Sequence, residues 1–243
     1  MTKEDIWLKK RLGKITASEL GQITSASGKI IDGNLSYIRA KRWERKHGFS
    51  HPVSSRAMEI GTEQEPMIAE WCRANLNIGD RLVYSRDLPE IPFWVAPDCP
   101  LGASPDAFLD DESVVYEFKT LVGATAIEYF SDEFTPYEEK KMAVWKDHGD
   151  QLLGQFISNP KVKSIVLVKY IYQDDDILQD TDSPLAHWRG LVFHFDRSSY
   201  EESIEVMKGR VRLFDAMIDA PVSPSDFKKG EWFLDGEGKL KRK

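Results

Sequence analysis

Cysteine is scarce in this chain. Cys72 and Cys99 are the only 2 among 243 residues, too few for a four-thiolate zinc or iron–sulfur site and in keeping with a reducing cytosol. The 5 histidines, at positions 47, 51, 148, 187 and 194, have no cysteine at a ligand interval, so zinc is not expected. Gly-x-Gly-x-x-Gly and Walker A loops are missing, which speaks against a nucleotide-driven motor. No apolar run approaches the ~20 residues needed to span a bilayer. The opening MTKEDIWLKK has no apolar segment of the signal-peptide kind. The expectation is a cytoplasmic protein without a membrane partner. Positive charge is also in deficit, with 33 Lys+Arg against 40 Asp+Glu and a net charge of −7. That balance is the opposite of the basic footprint usual for a nucleic-acid binder.

What is present changes the last inference. At 41% hydrophobic and 30% charged residues the chain is an ordinary globular protein with ample material for a core. Its charge is unevenly spread: residues 1–60 hold 12 Lys/Arg and 6 Asp/Glu, the remainder 21 and 34. The excess gathers in Lys9, Lys10, Arg11 and Lys14, then in Arg39, Lys41, Arg42, Arg45 and Lys46. Two readings stand: solvated helix faces, or an electrostatic track for a polyanion on one side of an acidic protein.

Hydrophobic periodicity predicts helices over 3–12, 17–24, 35–47 and 56–76, the last despite Gly61 and Pro66. Thr16 and Glu19 form a capping-box pattern. The period then shortens. DRLVYS, IPFWVAP, LGASPDAFL and SVVYEFKT read as strands of an antiparallel meander. A helix over 144–158, strands in KSIVLVKYIY and HWRGLVFHF around an acidic 173–182 loop, and a helix over 198–218 follow. No linker divides the chain. It reads as one α/β (α+β) domain over 1–220, a central mixed sheet flanked by helices, with a polar, fraying tail over 221–243. The tail's terminal KLKRK could add to DNA affinity.

The chemistry concentrates in Ser104-Pro105-Asp106 and Glu117-Phe118-Lys119. Residues two apart on a strand face the same side, so Glu117 and Lys119 project together while Phe118 turns into the core. A hairpin between them brings Asp106 alongside Glu117. Two carboxylates with open positions suit Mg²⁺, and a neighbouring ammonium would position or deprotonate a water and stabilise developing charge. An Asp followed by Glu-x-Lys also arises by chance at charged strand ends. Here the apolar run Val114-Val115-Tyr116 looks central in a sheet, where terminal charges have no other evident use.

Five ordered motifs over residues 7–158 resemble one family. Trp7–Glu19 is similar to its opening W-x-x-x-R-x-G-x-I-T-A-S-E, Gly61–Glu65 to its G-x-x-x-E helix, and Ser104–Asp106 and Glu117–Lys119 to its S-P-D and E-x-K core. Gln151 falls on its helical glutamine. The family is the PD-(D/E)XK nucleases, in particular the YqaJ-type phage recombination exonucleases. The resemblance implies a restriction-endonuclease-like core over 56–172 and DNA-end-binding basic helices over 1–50. It implies that Asp106, Glu117 and the Phe118 backbone carbonyl bind Mg²⁺, for which Mn²⁺ would substitute. Glu65 would serve a second metal or its water, with Glu63 as the alternative occupant. Lys119 would hold the nucleophilic water, and Gln151 would orient that water or the phosphate unless it is an ordinary helix glutamine. Arg11, Ser18 and Ser104 would take a 5′-terminal phosphate, Lys29 adding a contact; Ser18 could equally be a helix cap. Trp7, Trp43, Trp71 and Trp145 read as core or helix-contact residues, and His148 as a packing residue beside the site.

The implied activity is Mg²⁺-dependent 5′→3′ hydrolysis of one strand of duplex DNA from phosphorylated ends. Mononucleotides and a 3′ overhang would result, the overhang serving a single-strand annealing partner, with a homotrimer as the implied assembly in a phage-infected or prophage-bearing bacterial host. Two alternatives remain: an endonuclease of restriction or repair type, and a catalytically inactive DNA-end-binding or assembly protein.

Overall fold

A computed structural model describes residues 1–24, 29–49, 55–121, 135–171 and 190–243. The central sheet has five strands in the order β2-β5-β6-β7-β8: Leu82–Tyr84, Ala107–Leu109, Val114–Leu121, Ser164–Ile171 and Gly190–Asp196. β6 and β7 run parallel and the other pairs antiparallel, so the sheet is mixed, as expected. Parallel neighbours need a crossover. The chain returns through α4, Tyr137–Ser158.

Side chains of β6 alternate between two cores. Val115 joins a cluster with Leu152 and Phe156 of α4, and Tyr116 and Phe118 join one with Ile68, Ala69 and Cys72 of α3, Arg56–Asn75. The sheet is therefore covered on both faces. The first cluster also takes in Leu35 and Ile38 of α2 (Asp32–His47) and Ile204, Val211 and Phe214 of α5 (Glu201–Asp219). Burying an apolar side chain of this size contributes about 1.5–3 kcal/mol. Among the described residues no helix is long and apolar enough to cross a membrane.

Several expectations need correction. LGASPDAFL is two strands, because the chain leaves one sheet for another at Ser104–Asp106. β4, Leu101–Ala103, sits between β1 (Ile15–Thr16, parallel) and β3 (Trp94–Val95, antiparallel) in a separate three-stranded sheet. The meander is thus interrupted. α4 starts at Tyr137, seven residues before the periodicity suggested, with Pro136 at its cap and Glu138 and Glu139 in its first turn. Residues 17–22 form a 3₁₀ helix, not an α-helix, with the Glu19 carboxylate accepting from the Thr16 N–H at 3.1 Å. The tail is not frayed. Pro224–Lys228 is a 3₁₀ turn that buries Phe227, and β9 (Trp232–Leu234) pairs with β10 (Leu240–Arg242). The acidic 173–182 loop lies outside the described residues.

Part of the basic track is spent on the fold. Lys41 is buried between Glu19 (2.9 Å) and Glu44 (3.1 Å). Arg42 donates to the carbonyls of Met217, Ile218 and Val222 at 2.6–2.9 Å, satisfying the end of α5. Arg45 pairs with Asp215 and Asp219 and donates to the Gly13 carbonyl at 2.8 Å. Lys10 is paired with Glu90. Lys9, Lys14, Arg39 and Lys46 of the expected track are exposed.

Candidate active site

The β5–β6 register sets Ala107 opposite Tyr116, so one residue further Asp106 stands across from Glu117. Asp106 is held there by its own turn. The Ser85 hydroxyl donates to the Pro105 carbonyl (2.6 Å), the Ser85 N–H to the Asp106 carbonyl (3.0 Å), and the Phe118 N–H to Asp106 Oδ2 (2.7 Å). Glu117, only 2% exposed, projects toward α4 with Lys119 beside it. Lys119 Nζ donates to Glu117 Oε1 (2.7 Å) and Gln151 Oε1 (3.2 Å), and Gln151 Nε2 to the same Glu117 oxygen (2.5 Å). Gln155, one turn along α4 and 1% exposed, donates to Glu117 Oε2 (3.2 Å) and to the Ser104 carbonyl (3.3 Å).

These groups line one wall of a cleft of about 470 Å³. Glu65 enters from α3, its Oε2 accepting from Tyr84 Oη (3.0 Å) and Arg86 Nε (2.9 Å). Glu63 does not line the cleft; it faces Arg56 at 3.7 Å and is exposed. At the other end Arg11 stacks on Trp7, 4.4 Å from the ring centroid, and reaches the hydroxyls of Ser18 (3.3 Å) and Thr16 (3.4 Å). Trp7 Nε1 donates to the Ser104 hydroxyl at 2.6 Å. Arg11 has no carboxylate within ion-pair distance among the described residues. This end is fixed by close packing: a Cβ on Gly154 of α4 would come within 2.5 Å of the Ala17 Cβ, so only glycine lets the 3₁₀ turn bearing Ser18 lie so near the helix.

Asp106, Glu117, Phe118, Lys119, Gln151, Glu65, Arg11, Ser18 and Ser104 therefore meet in one cleft. Lys29 does not line it and is exposed. Trp7, expected as a core or helix contact, belongs to the cleft wall. Trp43 is 36% exposed, Trp71 packs on Tyr170, and Trp145 stacks on Tyr200 at 3.9 Å. Thr16, Arg86 and Gln155 were missed by sequence reasoning. Gln155 had a signal, standing four residues after Gln151 and so on the same helix face; Trp7 stands likewise to Arg11.

The site's electrostatics are those of crowded negative charge. Burial, then Glu117 and Glu65, push the Asp106 carboxyl well above its ordinary value, against the pull of Lys119 and the Phe118 N–H. Burial also raises Glu65, with Arg86 and Tyr84 opposing. For Lys119, burial works downward, but Glu117, Asp106 and Glu65 outweigh it and raise its pKa, so it stays an ammonium. Burial, with Lys119 and Lys169, depresses His148 to about 4, leaving it neutral. Among the described residues no three His, Cys, Asp or Glu side chains enclose an ion by themselves. Two carboxylates and a main-chain carbonyl are the smaller, all-oxygen set that Mg²⁺ accepts when it keeps its waters. The mutual repulsion of Asp106, Glu117 and Glu65 also fits a cation.

No protein-family model matches the chain, and no curated protein sequence does. Solved structures do. An alkaline exonuclease (LHK-Exo) from Laribacter hongkongensis superposes with a TM-score of 0.62 at 22% identity, over 93% of this chain and 96% of that one. LHK-Exo in complex with dAMP gives 0.56 at 20% identity, over 88% and 94%. A phage-related exonuclease from Haemophilus somnus 129PT gives 0.53 at 14% identity, over 84% and 95%. This chain has their fold. The likeness extends over nearly the whole length of each, so the mixed sheet and its flanking helices are common architecture and not a shared fragment.

Proposed function

We propose that the chain is a Mg²⁺-dependent DNA exonuclease of the YqaJ type that hydrolyses one strand of a duplex from its 5′-phosphorylated end. The observation that carries this reading is the juxtaposition, in one cleft, of a carboxylate–lysine set and an arginine that no described carboxylate pairs. Asp106, Glu117 and the Phe118 carbonyl would hold the metal, with Glu65 serving a second ion or its water. When bound, the metal would supply Lewis-acid polarisation of the phosphate and a more acidic water. Lys119, kept cationic by its neighbours, holds the attacking water and stabilises charge on the phosphate oxygens. Gln151 fixes the Lys119 ammonium and can accept from that water. Arg11, with the hydroxyls of Thr16, Ser18 and Ser104, offers a fork and neutral donors to a terminal phosphate. An end held there presents its first phosphodiester to the carboxylates, which is catalysis by positioning.

The structural neighbours are exonucleases, which supports the reading, and the dAMP bound to one of them fits mononucleotide products. The resemblance carries the rest of the proposal: Mn²⁺ substitution, a homotrimer, an annealing partner for the 3′ overhang, and a role in phage-type recombination in the bacterial cytoplasm. The test is digestion of linear duplex with 5′-phosphate or 5′-hydroxyl ends, beside a covalently closed circle, with and without Mg²⁺. Release of mononucleotides from the phosphorylated linear substrate alone, only with Mg²⁺, is the expected outcome. Cutting of the circle at the linear rate would replace the exonuclease with an endonuclease. Inert linear duplex would leave an end-binding protein.

A further inference from the structure

We infer that Gln155 is a positioning residue that ties the carboxylate set of the cleft to the turn forming its Arg11 end; this rests on the proposed nuclease function. Gln155 is 1% exposed, yet its amide serves nothing in the fold outside the cleft. Its Nε2 donates to Glu117 Oε2 at 3.2 Å and to the Ser104 carbonyl at 3.3 Å, and its Oε1 has no hydrogen-bond partner among the described residues. The amide cannot be turned over. Its oxygen would then face a carboxylate and a carbonyl, both acceptors.

A buried acceptor left unpaired is a cost that an apolar residue of similar shape would not carry. What the amide contributes instead is geometry. Lys119 and Gln151 both grip Oε1 of Glu117, which leaves the carboxylate able to swing about that anchor. Gln155 holds the second oxygen and so fixes the plane of the carboxylate. The same NH₂ group reaches the carbonyl of Ser104, whose hydroxyl is held by Trp7. One side chain thereby sets the distance between the place where a terminal phosphate would sit and the carboxylate that would hold the metal. Supporting residues of this kind typically change metal affinity or activity by about 10- to 100-fold.

The test compares the wild-type protein with Gln155→Met and Gln155→Leu, two apolar variants that remove the donor together with the unpaired acceptor. Three readouts are taken: Mn²⁺ affinity from the electron paramagnetic resonance of free ion, kcat and KM on linear duplex, and the rate ratio for 5′-phosphate over 5′-hydroxyl ends. The variants lose the unpaired acceptor but strand Glu117 Oε2 and the Ser104 carbonyl, so a modestly lower melting temperature is expected, and all readouts are taken well below it. They should bind Mn²⁺ about 10-fold more weakly, lose about 10- to 100-fold in kcat with KM near wild type, and show a smaller end preference. Mn²⁺ affinity and kcat within about twofold of wild type would overturn the inference, as would losses that vanish when the variants are assayed well below their melting temperature. A wild-type protein that binds Mn²⁺ but cuts no DNA would defeat the nuclease reading alone, and the Mn²⁺ comparison would still decide the role of Gln155. A wild-type protein that binds no Mn²⁺ would defeat the role of Gln155.

Discussion

Arg42 donates to three main-chain carbonyls at the end of α5, whereas Arg11 meets two hydroxyls at 3.3–3.4 Å and the face of Trp7. Both belong to the basic N-terminal segment and would be counted alike in any charge tally. The first is consumed by the fold. The second is held in place by neutral groups and keeps its charge available. The carboxylates do not divide as cleanly: Glu44 and Asp215 pair with Lys41 and Arg45, but Glu117 and Glu65 of the cleft are also paired, with Lys119 at 2.7 Å and Arg86 at 2.9 Å, and only Asp106 among the three has no cation within ion-pair distance among the described residues. For the two arginines, partnering and not charge separates the structural ion from the one open to a ligand.

That division can be tested most severely at Lys119. Lys119→Ala should lower the cleavage rate by about 10³-fold while the protein stays folded and binds DNA, measured by single-turnover digestion. Normal cutting would take Lys119 out of the mechanism. Arg11→Ala should cost about 10- to 100-fold on 5′-phosphorylated ends, the worth of a charge-assisted contact, and little on 5′-hydroxyl ends. Equal loss on both would abolish the contrast with Arg42. Arg42→Ala should destabilise the fold by about 2–3 kcal/mol, read by urea unfolding, because it strands carbonyls at a helix end. A change in end preference without loss of stability would reverse its assignment.

The smallest effect on stability is at Asp106 and carries a sign. Its raised folded pKa means that the native, metal-free protein binds this proton more tightly than the unfolded chain. Stability should therefore fall as pH rises from the ordinary aspartate value through the raised one. Asp106→Asn removes that loss and should raise the melting temperature of the metal-free protein above this window by a few degrees, ~2–4 °C per kcal/mol. It should also abolish Mn²⁺ binding, which in the wild-type protein should strengthen with pH over the same range as the proton is displaced. A lowered melting temperature would show that repulsion is not what the cleft stores.

The core of the site was legible because it is local. Asp106 and Glu117 lie on adjacent strands of one hairpin, and two-residue alternation alone separates Glu117 and Lys119 from Phe118. Gln151 and Glu65 are not local to that hairpin; only the resemblance of ordered motifs placed them. The uses of Lys41, Arg42 and Arg45 were illegible for a different reason. Their helix-face spacing is that of a solvated basic flank; Lys41 has Glu44 three residues along, but its other partner Glu19 and the α5 groups reached by Arg42 and Arg45 lie too far off in sequence to be announced. The start of α4 was missed by weighing apolar periodicity over its acidic first turn and the proline before it. The split of LGASPDAFL could not be read from alternation, which is the same in either sheet.

The carbonyls that Arg42 satisfies lie 175, 176 and 180 residues downstream of it. Its neighbours Glu44 and Arg45 grip the main chain of Gly13, between Arg11 and Ile15, at 3.0 and 2.8 Å. The bend after Arg11 is therefore braced by a helix that is itself braced by α5. At ~5–20 residues per second of synthesis, α2 waits on the order of 10–35 s for that support. The turn and strand bearing Asp106, Glu117 and Lys119 emerge well before it. A nascent chain thus has Asp106, Glu117 and Lys119 in hand early, and the braced bend that carries Arg11 only when translation has passed α5.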